Sequence, residues 1–349
     1  MKQKLRELKS YPLLIFFAAF IAVFFITDIF VTGKEFSETE NRYLKQNPPF
    51  TLKALMANEY TKEYEEFIND QFAFRDQWIS LKSVGEMALG KIENNGVAYG
   101  REGYLFPKLF EASVAETRQN GAGFGGDGGE ETALPVVNEG QIDANVKFLN
   151  RFLAAYPGHV TISIVPNAYQ ILPDLLPKGL ENADQSKAIA RVYGRLEGTA
   201  LDTLDLEGPL TESSQERQTY YRTDHHWTTD GAWAAYAAYA QSRGLEAVSL
   251  EALAPYRREV PDFLGTNYSK TKNIDVQPDT LVWYDLPVGT VTIDGRTTVM
   301  TSQKEEIPVE GLYRKEMLAQ RDKYAAFLYG NNGLTVIPSE NNLNHQEGK

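Results

Sequence analysis

Hydrophobic positions follow two different periods along the chain, and their order predicts an α/β protein. Apolar residues recur at helical spacing over 142–152, and a near-continuous apolar run at 160–165 is typical of a strand buried on both faces. A second helix over 188–196, a second strand over 200–206 and a third helix from residue 229 follow in turn. Strands that alternate with helices in this way indicate a doubly wound parallel sheet.

A helical segment and a hairpin are predicted before this α/β region. Apolar residues between 52 and 89 recur at helical spacing, and Phe67, Phe74, Trp78 and Leu81 are expected to form one stripe. Residues 97–106 predict a β-hairpin, because two β-prone runs flank Gly100–Gly103.

Beyond Pro255 the pattern becomes β-like and predicts an insertion into the sheet at about 256–312. Strands are expected at 280–284 and 290–293, and Asp294-Gly295 is a favourable hairpin turn before a further strand at 296–301.

A glycine-rich stretch at 119–133 has the spacing of a dinucleotide-binding loop at Gly121, Gly123 and Gly126. That motif requires a strand before it and a helix after it. Neither is visible here, so we expect a flexible surface loop and no nucleotide cofactor.

The N-terminal segment predicts a membrane anchor. Basic residues in 1–10 precede an apolar run that occupies most of 11–32. About twenty helical residues span the roughly 30 Å hydrocarbon core of a bilayer, and basic residues before the run place the N-terminus in the cytoplasm. A cleaved signal peptide is the alternative, but no Ala-x-Ala site follows the run. We expect a cytoplasmic tail at 1–10, an anchor at 11–32, a stalk and helical segment at 33–96, and an extracytoplasmic domain at 97–349.

Composition excludes several classes of function. The 35 basic and 47 acidic side chains give a net charge of −12, which argues against a nucleic-acid partner. The absence of cysteine excludes a thiol nucleophile, thiolate metal ligands and disulfides. Any nucleophile is therefore expected to be a hydroxyl group.

The candidate chemistry is concentrated in residues 220–236, at the turn that enters a helix. Thr228, Thr229 and Asp230 can cap the start of that helix. His225 and His226, two of the four histidines, stand between Asp224 and Trp227. Residues two apart in an extended segment share a face, so Asp224 is expected beside His226 while His225 points elsewhere. A carboxylate that orients an imidazole makes it a general base, which predicts that Asp224 and His226 activate a hydroxyl nucleophile.

Two other interpretations of this cluster remain open from the residues alone. Asp224, His226 and Trp227 can instead cap the helix and pack its entrance. Asp224, His225 and His226 can also offer metal ligands, but adjacent histidines are expected to diverge and no third histidine has suitable spacing. We therefore expect no metal.

Four further residues are predicted to bind substrate: His225, Trp227, Arg222 and Asn167. Asn167 is included because it follows the strand at 160–165, and open α/β sheets bind ligands beyond the carboxyl ends of their strands. A structural turn is the alternative role for Asn167.

Thr223-Asp-His-His-Trp-Thr228 resembles the signature of the DHHW family. Further matches lie at Glu40-Asn-Arg-Tyr-Leu44, Asp70-Gln-Phe-Ala-Phe-Arg75 and Gly265-Thr-Asn-Tyr-Ser269, so the likeness covers nearly all of the predicted extracytoplasmic chain. The family is similar to the SGNH-hydrolase-like proteins of alginate O-acetylation. The resemblance implies an SGNH-hydrolase-like fold, an envelope polysaccharide substrate and a membrane-bound O-acyltransferase as partner. Asp224 and His226 match the Asp-x-His pair of those proteins.

The resemblance also implies a serine nucleophile in a later Asp-Ser-Tyr or Asp-Ser-Phe motif. No Asp-Ser dipeptide occurs in the 349 residues. We expect that serine beyond the end of this sequence, so acetyl transfer or hydrolysis by this chain alone is not expected. The alternatives are a non-catalytic polysaccharide-binding or scaffold partner of a membrane-bound acyltransferase, with Trp227, Tyr220 and Tyr221 stacking on sugar rings, and a structural envelope protein.

Overall fold

The chain consists of two compact units, Met1–Glu86 and Met87–Lys349. The division falls just before the boundary predicted at residue 97. The predicted glycine-rich loop at 119–133 lies outside the described residues. The computed structural model describes residues 11–30, 33–37, 42–108, 139–156, 158–180, 184–197, 199, 201–273, 275–301 and 304–338.

The apolar N-terminal run is helical from Pro12 to Phe30. Within the described part of the chain, no helix combines the length and the apolarity that crossing a bilayer requires. Membrane anchoring by residues 11–32 stays a prediction.

The helical segment of the first unit is divided into Leu52–Met56, Glu59–Gln71 and Arg75–Ala88. Left-handed backbone at Asn58 (φ 61°) and Phe74 (φ 59°) interrupts the helical path. Because Phe74 lies outside both longer helices, the prediction of one continuous stripe from Phe67 to Leu81 is wrong.

The predicted stalk is bonded to the helix Glu59–Gln71. Strands Phe36–Ser37 and Arg42–Tyr43 pair antiparallel, and the Arg42 guanidinium donates two hydrogen bonds to the Asp70 carboxylate at 2.9 and 2.6 Å. The backbone N–H of Lys45 donates to the same carboxylate at 2.8 Å. The two motifs that contain Arg42 and Asp70 therefore form one structural element.

Asp70→Asn is expected to loosen this element. The hydrogen bond from Arg42 has the largest effect and lowers the pKa of Asp70. Burial opposes it, and the bond from the Lys45 N–H and the charge of Arg42 add to the lowering. A carboxyl group with a depressed folded-state pKa contributes stability that is present above its unfolded pKa of about 3.9 and is lost as the pH falls through the folded value. We expect a loss of about 1 kcal/mol, because Arg42 is partly exposed.

Hydrogen exchange at the Lys45 amide measures this effect. Exchange should accelerate in Asp70→Asn at neutral pH and in the wild type only at strongly acidic pH. Glu65→Gln, on the exposed side of the same helix, is the matched control. Equal exchange in wild type and Asp70→Asn would show that the carboxylate does not hold the segment.

The α/β part of the second unit matches the predicted order of elements. Helix Glu139–Ala155 precedes strand Val160–Ser163, and helix Gln185–Leu196 precedes strand Leu201–Leu204. The two strands are parallel, with Val160 opposite Leu201 and Ser163 opposite Leu204. Helices that accompany a parallel pair of strands define the α/β class. The described residues contain no parallel sheet with more than these two strands.

The first parallel strand is less buried than predicted. Its residues are half-buried or exposed, and Val165 is 41% exposed. A strand with one described neighbour and partial cover lacks the two-sided burial that a near-continuous apolar run normally indicates.

The predicted hairpin is confirmed. Val97–Tyr99 pairs antiparallel with Leu105–Pro107, and Gly100–Gly103 forms the turn. Glu93–Asn94 adds a third strand that the sequence pattern did not predict. The backbone N–H of Leu105 donates to Arg222 O at 2.8 Å, which attaches the hairpin to the candidate site.

The β-rich part differs from the prediction in its pairing. The Asp294-Gly295 turn is confirmed by reciprocal backbone hydrogen bonds of 2.8 and 2.9 Å between Ile293 and Arg296. The hairpin does not continue beyond that turn, because the strand before it pairs with a distant segment. The antiparallel pairs are Arg257–Phe263 with Asp279–Tyr284, Thr292–Ile293 with Thr335–Val336, and Thr298–Met300 with Glu306–Pro308.

The remaining elements are short except for the helix after the Asp-His-His-Trp segment. The helix Thr229–Ser242 has Thr228 as its N-cap, whose hydroxyl accepts a hydrogen bond from the Gly231 N–H at 3.1 Å, as predicted. The others are α-helices Ala168–Ile171, Glu207–Ser214, Leu250–Leu253 and Thr266–Thr271, and 3₁₀ turns Arg101–Gly103, Pro173–Leu175, Ala254–Tyr256, Lys315–Ala319 and Lys323–Ala326.

Candidate active site

Two hydrophobic clusters hold the segment that carries the candidate site. Tyr220 lies in a cluster with Phe106 and Leu210, whereas Tyr221 packs with Phe263 and Leu281 in a second cluster. Both tyrosines are 1% exposed. Adjacent residues that enter different clusters fix the backbone on both sides, so the residues that follow start from a rigid position.

A buried carboxylate fixes the next turn. Asp279 is 1% exposed and accepts hydrogen bonds from the Arg222 N–H at 2.9 Å, the Thr223 N–H at 2.9 Å and the Thr223 hydroxyl at 2.8 Å. The Gln218 amide donates to it at 2.7 Å. Since a buried carboxylate requires several donors, these bonds both stabilise Asp279 and set the conformation before Asp224.

Asp224 uses both carboxylate oxygens. Oδ1 accepts hydrogen bonds from the backbone N–H of His226 at 2.9 Å and from its ring Nδ1 at 2.5 Å. Oδ2 accepts from the backbone N–H of Thr266 at 2.7 Å and from its hydroxyl at 3.0 Å. Asp224 is 3% exposed. Burial raises the pKa of Asp224, but the bonds from His226 and Thr266 outweigh it and leave the pKa below its ordinary value.

The His226 ring is held with one nitrogen available. Its Nδ1 bonds the ionised Asp224, so Nδ1 carries a proton and Nε2 has the lone pair that can accept another. The Tyr324 ring stacks on the His226 ring at 4.1 Å with an interplanar angle of 12°. Burial raises the pKa of Tyr324 to about 12, so this neighbour is neutral at physiological pH.

The predicted proximity of Asp224 and His226 is confirmed, whereas the prediction that His225 points elsewhere is wrong. The two histidine rings lie 3.9 Å apart, centroid to centroid. Residues 222–226 form consecutive bends and not an extended strand, so the two-residue alternation of side chains does not apply. His225 Nδ1 lies 2.7 Å from the Thr266 hydroxyl.

A metal ion could be held in the described residues by Asp224, His225 and His226, whose ligand atoms lie within 4.8 Å of one another. Three ligands of these types resemble a catalytic zinc site. The argument that adjacent histidines diverge is wrong here. However, the Nδ1 atoms of both rings are already engaged, with Asp224 and Thr266. Coordination through Nδ1 would break the Asp224–His226 bond, and the absence of a metal stays a prediction.

The other predicted substrate-binding residues have intramolecular partners. Arg222 donates to the Gln218 side chain at 2.9 Å and lies over the Tyr104 ring at 5.4 Å. Trp227 packs against the first hydrophobic cluster. Asn167 occupies the N-cap position of a short helix without a side-chain capping bond, and its backbone N–H donates to Gln185 at 2.6 Å. The preceding residue, Pro166, accepts a hydrogen bond from the buried Tyr220 hydroxyl, which places this loop beside the start of the segment.

Residues important for the geometry were missed by the sequence argument. Thr266 and Gly265 belong to the quoted Gly-Thr-Asn-Tyr-Ser motif, which was the available signal, but no role was predicted for them. An alanine Cβ at residue 265 would overlap the Asp224 side chain. Asp279 and Tyr324 had no signal in the sequence.

No described hydroxyl group bonds to the His226 ring. Ser269, in the helix Thr266–Thr271, donates instead to Gly265 O at 3.2 Å. Ser242 donates to Tyr239 O at 2.7 Å, and Ser249 accepts from the Ala252 N–H at 3.2 Å. The remaining downstream serines, Ser302 and Ser339, lie outside the described residues. The described site therefore contains the hydrogen-bonded pair of Asp224 and His226 without a hydroxyl group bonded to the ring.

Comparison with known proteins supports an SGNH-hydrolase-like α/β domain. Residues 131–257, which include the whole Asp-His-His-Trp segment, match the family model described as the SGNH hydrolase-like domain of the acetyltransferase AlgX. The resemblance drawn from the sequence motifs is thereby confirmed.

Two relatives are described as probable alginate O-acetylase AlgJ. The protein of Pseudomonas syringae pv. tomato is 23% identical over 220 residues, which make up 60% of this chain and 52% of that protein. The protein of Pseudomonas fluorescens is 24% identical over 178 residues, which make up 50% of this chain and 40% of that protein. The chain thus spans about half the length of the curated relatives it matches.

Among solved structures, a DHHW family protein from Eubacterium siraeum DSM 15702 is 19% identical to this chain, with a TM-score of 0.47. The alignment covers 72% of this chain and 74% of that chain.

Proposed function

We propose that this protein takes part in the O-acetylation of a cell-envelope polysaccharide, with His226 as general base and Asp224 as the residue that orients it. The observation that carries the proposal is the 2.5 Å bond from His226 Nδ1 to the buried Asp224 carboxylate. This bond leaves Nε2 as the proton acceptor on a ring that is 36% exposed.

The proposed step is acyl transfer. Nε2 of His226 takes the proton of an attacking hydroxyl group as its oxygen bonds the acetyl carbonyl carbon. When the bond between that carbon and the donor oxygen breaks, His226 returns the proton to the leaving oxygen. Asp224 stays ionised and stabilises the imidazolium that forms between these events.

The descriptions of the relatives support the substrate class. The matching family model describes an acetyltransferase domain, and both relatives are described as probable alginate O-acetylases. Because the matches cover part of those proteins, polysaccharide O-acetylation by this protein is part of the proposal.

Several finer features belong to the same proposal. The nucleophile is a serine of an Asp-Ser-Tyr or Asp-Ser-Phe motif, which this sequence does not contain. The acetyl donor is supplied by a membrane-bound O-acyltransferase, and residues 11–32 anchor the protein with its main domain outside the cytoplasm. His225, Arg222, Trp227 and Asn167 bind the substrate.

The non-catalytic alternative keeps the half-buried Trp227 among its predicted stacking residues. It proposes that aromatic residues such as Trp227, Tyr220 and Tyr221 stack on sugar rings. Tyr220 and Tyr221 are buried in separate clusters, so neither can do so without unfolding its cluster.

Deletion of the gene in its native host tests the proposed role. The envelope polysaccharide is extracted, and the acetate released by mild base is divided by total sugar. We expect the acetyl ester content to fall and the wild-type gene, returned on a plasmid, to restore it. An unchanged ester content in the deletion strain would overturn the proposal.

A further inference from the structure

Thr266 connects the two histidines of the site through Asp224. Its backbone N–H and hydroxyl both reach Asp224 Oδ2, at 2.7 and 3.0 Å. The same hydroxyl oxygen lies 2.7 Å from His225 Nδ1. The hydrogen bonds thus run from His225 through Thr266 to Asp224, and from the other oxygen of Asp224 to His226.

The direction of each bond in this series follows from the inventory of donors and acceptors. An ionised carboxylate only accepts, so the single hydroxyl hydrogen of Thr266 is donated to Asp224. The Thr266 oxygen can then only accept from His225, which requires a hydrogen on His225 Nδ1. Burial lowers the pKa of His225. Attraction by Asp224 opposes this lowering, and repulsion by His226 and Lys270 adds to it. A neutral ring with Nδ1 protonated has its lone pair on Nε2.

We infer that Thr266 is a positioning residue that holds Asp224 for His226 and at the same time fixes His225 in the Nδ1–H tautomer. Both imidazoles then present Nε2 as a hydrogen-bond acceptor, with ring centroids 3.9 Å apart. Two adjacent acceptors fit two neighbouring hydroxyl groups of a sugar ring. His226 takes the proton of the reacting group, and His225 accepts a hydrogen bond from a substrate hydroxyl beside it.

Gly265 allows Thr266 to approach so closely. The Gly265 N–H donates to the Thr223 hydroxyl at 3.0 Å, and the Tyr268 N–H donates to Thr223 O at 3.0 Å. These bonds fasten the start of the helix Thr266–Thr271 to the residue before Asp224. The hydroxyl of Thr266 is therefore placed by the fold.

Long-range ¹H–¹⁵N correlation spectra of the full chain, labelled in its histidine rings, test the inference. The chain has four histidines, and His225→Gln identifies the signals of that ring. With both rings neutral, wild type should show His225 and His226 with Nδ1 protonated. Thr266→Val should shift His225 towards the Nε2–H tautomer that free imidazole rings prefer, while Asp224 keeps His226 unchanged. Thr266→Ser, which retains the hydroxyl, should restore the wild-type pattern.

The positioning role rests on the proposed function, whereas the tautomer does not. In the native host, Thr266→Val should lower the acetyl ester content about ten-fold, because a hydrogen bond to a charged group is lost. Thr266→Ser should stay within about two-fold of wild type. The His159 signal, which reports a separate contact with Asp202, shows whether each variant is folded. Thr266→Ala, which puts no methyl group in place of the hydroxyl, replaces Thr266→Val if the latter does not fold.

The outcomes distinguish this inference from the proposed function. An Nε2–H His225 in wild type, or an unchanged His225 in folded Thr266→Val and Thr266→Ala, would overturn the inference. Equal ester content in Thr266→Val and Thr266→Ser would overturn the positioning role. Failure of the proposed function would appear separately. The deletion strain would keep the wild-type ester content, while the labelled wild-type protein would still show the expected tautomers.

Discussion

Asp224→Asn is expected to lower polysaccharide acetylation by about 10²–10⁴-fold, the range that general base catalysis contributes. Asp224 accepts four hydrogen bonds, two on each oxygen. An asparagine amide would direct its own N–H groups at the donors of either His226 or Thr266. The His226 ring would then lose its fixed tautomer, and Nε2 would no longer be a reliable proton acceptor.

The ester assay in the native host measures this loss, and the chain offers a matched control. Asp202 also pairs with a histidine, at 2.6 Å from His159, but it is 58% exposed. Asp202→Asn should leave the ester content unchanged, because an exposed polar contact contributes little. Wild-type acetylation in a strain with normal amounts of Asp224→Asn would contradict the assigned role of this carboxylate.

Gly265→Ala is expected to disrupt the site and destabilise the fold. The backbone at Gly265 has φ −88° and ψ −162°, so strain in the backbone is not the cause. The added Cβ would instead overlap the Cβ, Cγ and Oδ2 atoms of Asp224. Moving a 3% exposed side chain away from its partners should cost about 2 to 3 kcal/mol and abolish acetylation.

The midpoint of thermal unfolding, followed by circular dichroism, measures the loss of stability. Gly194→Ala is the control, because it lies within the helix Gln185–Leu196 and an added Cβ there meets no atom within 4 Å. It should leave the midpoint unchanged or raise it, since alanine is favoured over glycine by roughly 0.5–1 kcal/mol in a helix. A wild-type midpoint in Gly265→Ala would mean that Asp224 is not held as closely as described.

Features that depend on local sequence were predictable. The hairpin at 97–107 and the cap at Thr228 follow from glycine positions and capping residues within a few positions of each other. The proximity of Asp224 and His226 was also local, since the residues are two apart. Its predicted cause, an extended backbone, was wrong, because 222–226 bend continuously.

Features that depend on distant contacts could not be predicted from one sequence. Thr292–Ile293 pairs with Thr335–Val336, and no local signal selects that partner over the following strand. The approach of Thr266 to Asp224 spans 42 positions. His225 was misplaced because residues 222–226 bend where an extended backbone was assumed, and its ring then contacts a hydroxyl group of that distant segment.

The most direct test of the central claim, that the Asp224–His226 pair serves O-acetylation, is to complement the gene deletion with His226→Ala. The control is His159→Ala, the same substitution at a histidine whose partner is exposed. With equal amounts of both proteins, we predict that His159→Ala restores the acetyl ester content of the polysaccharide and that His226→Ala leaves it at the level of the deletion strain. Restoration by His226→Ala would contradict the claim.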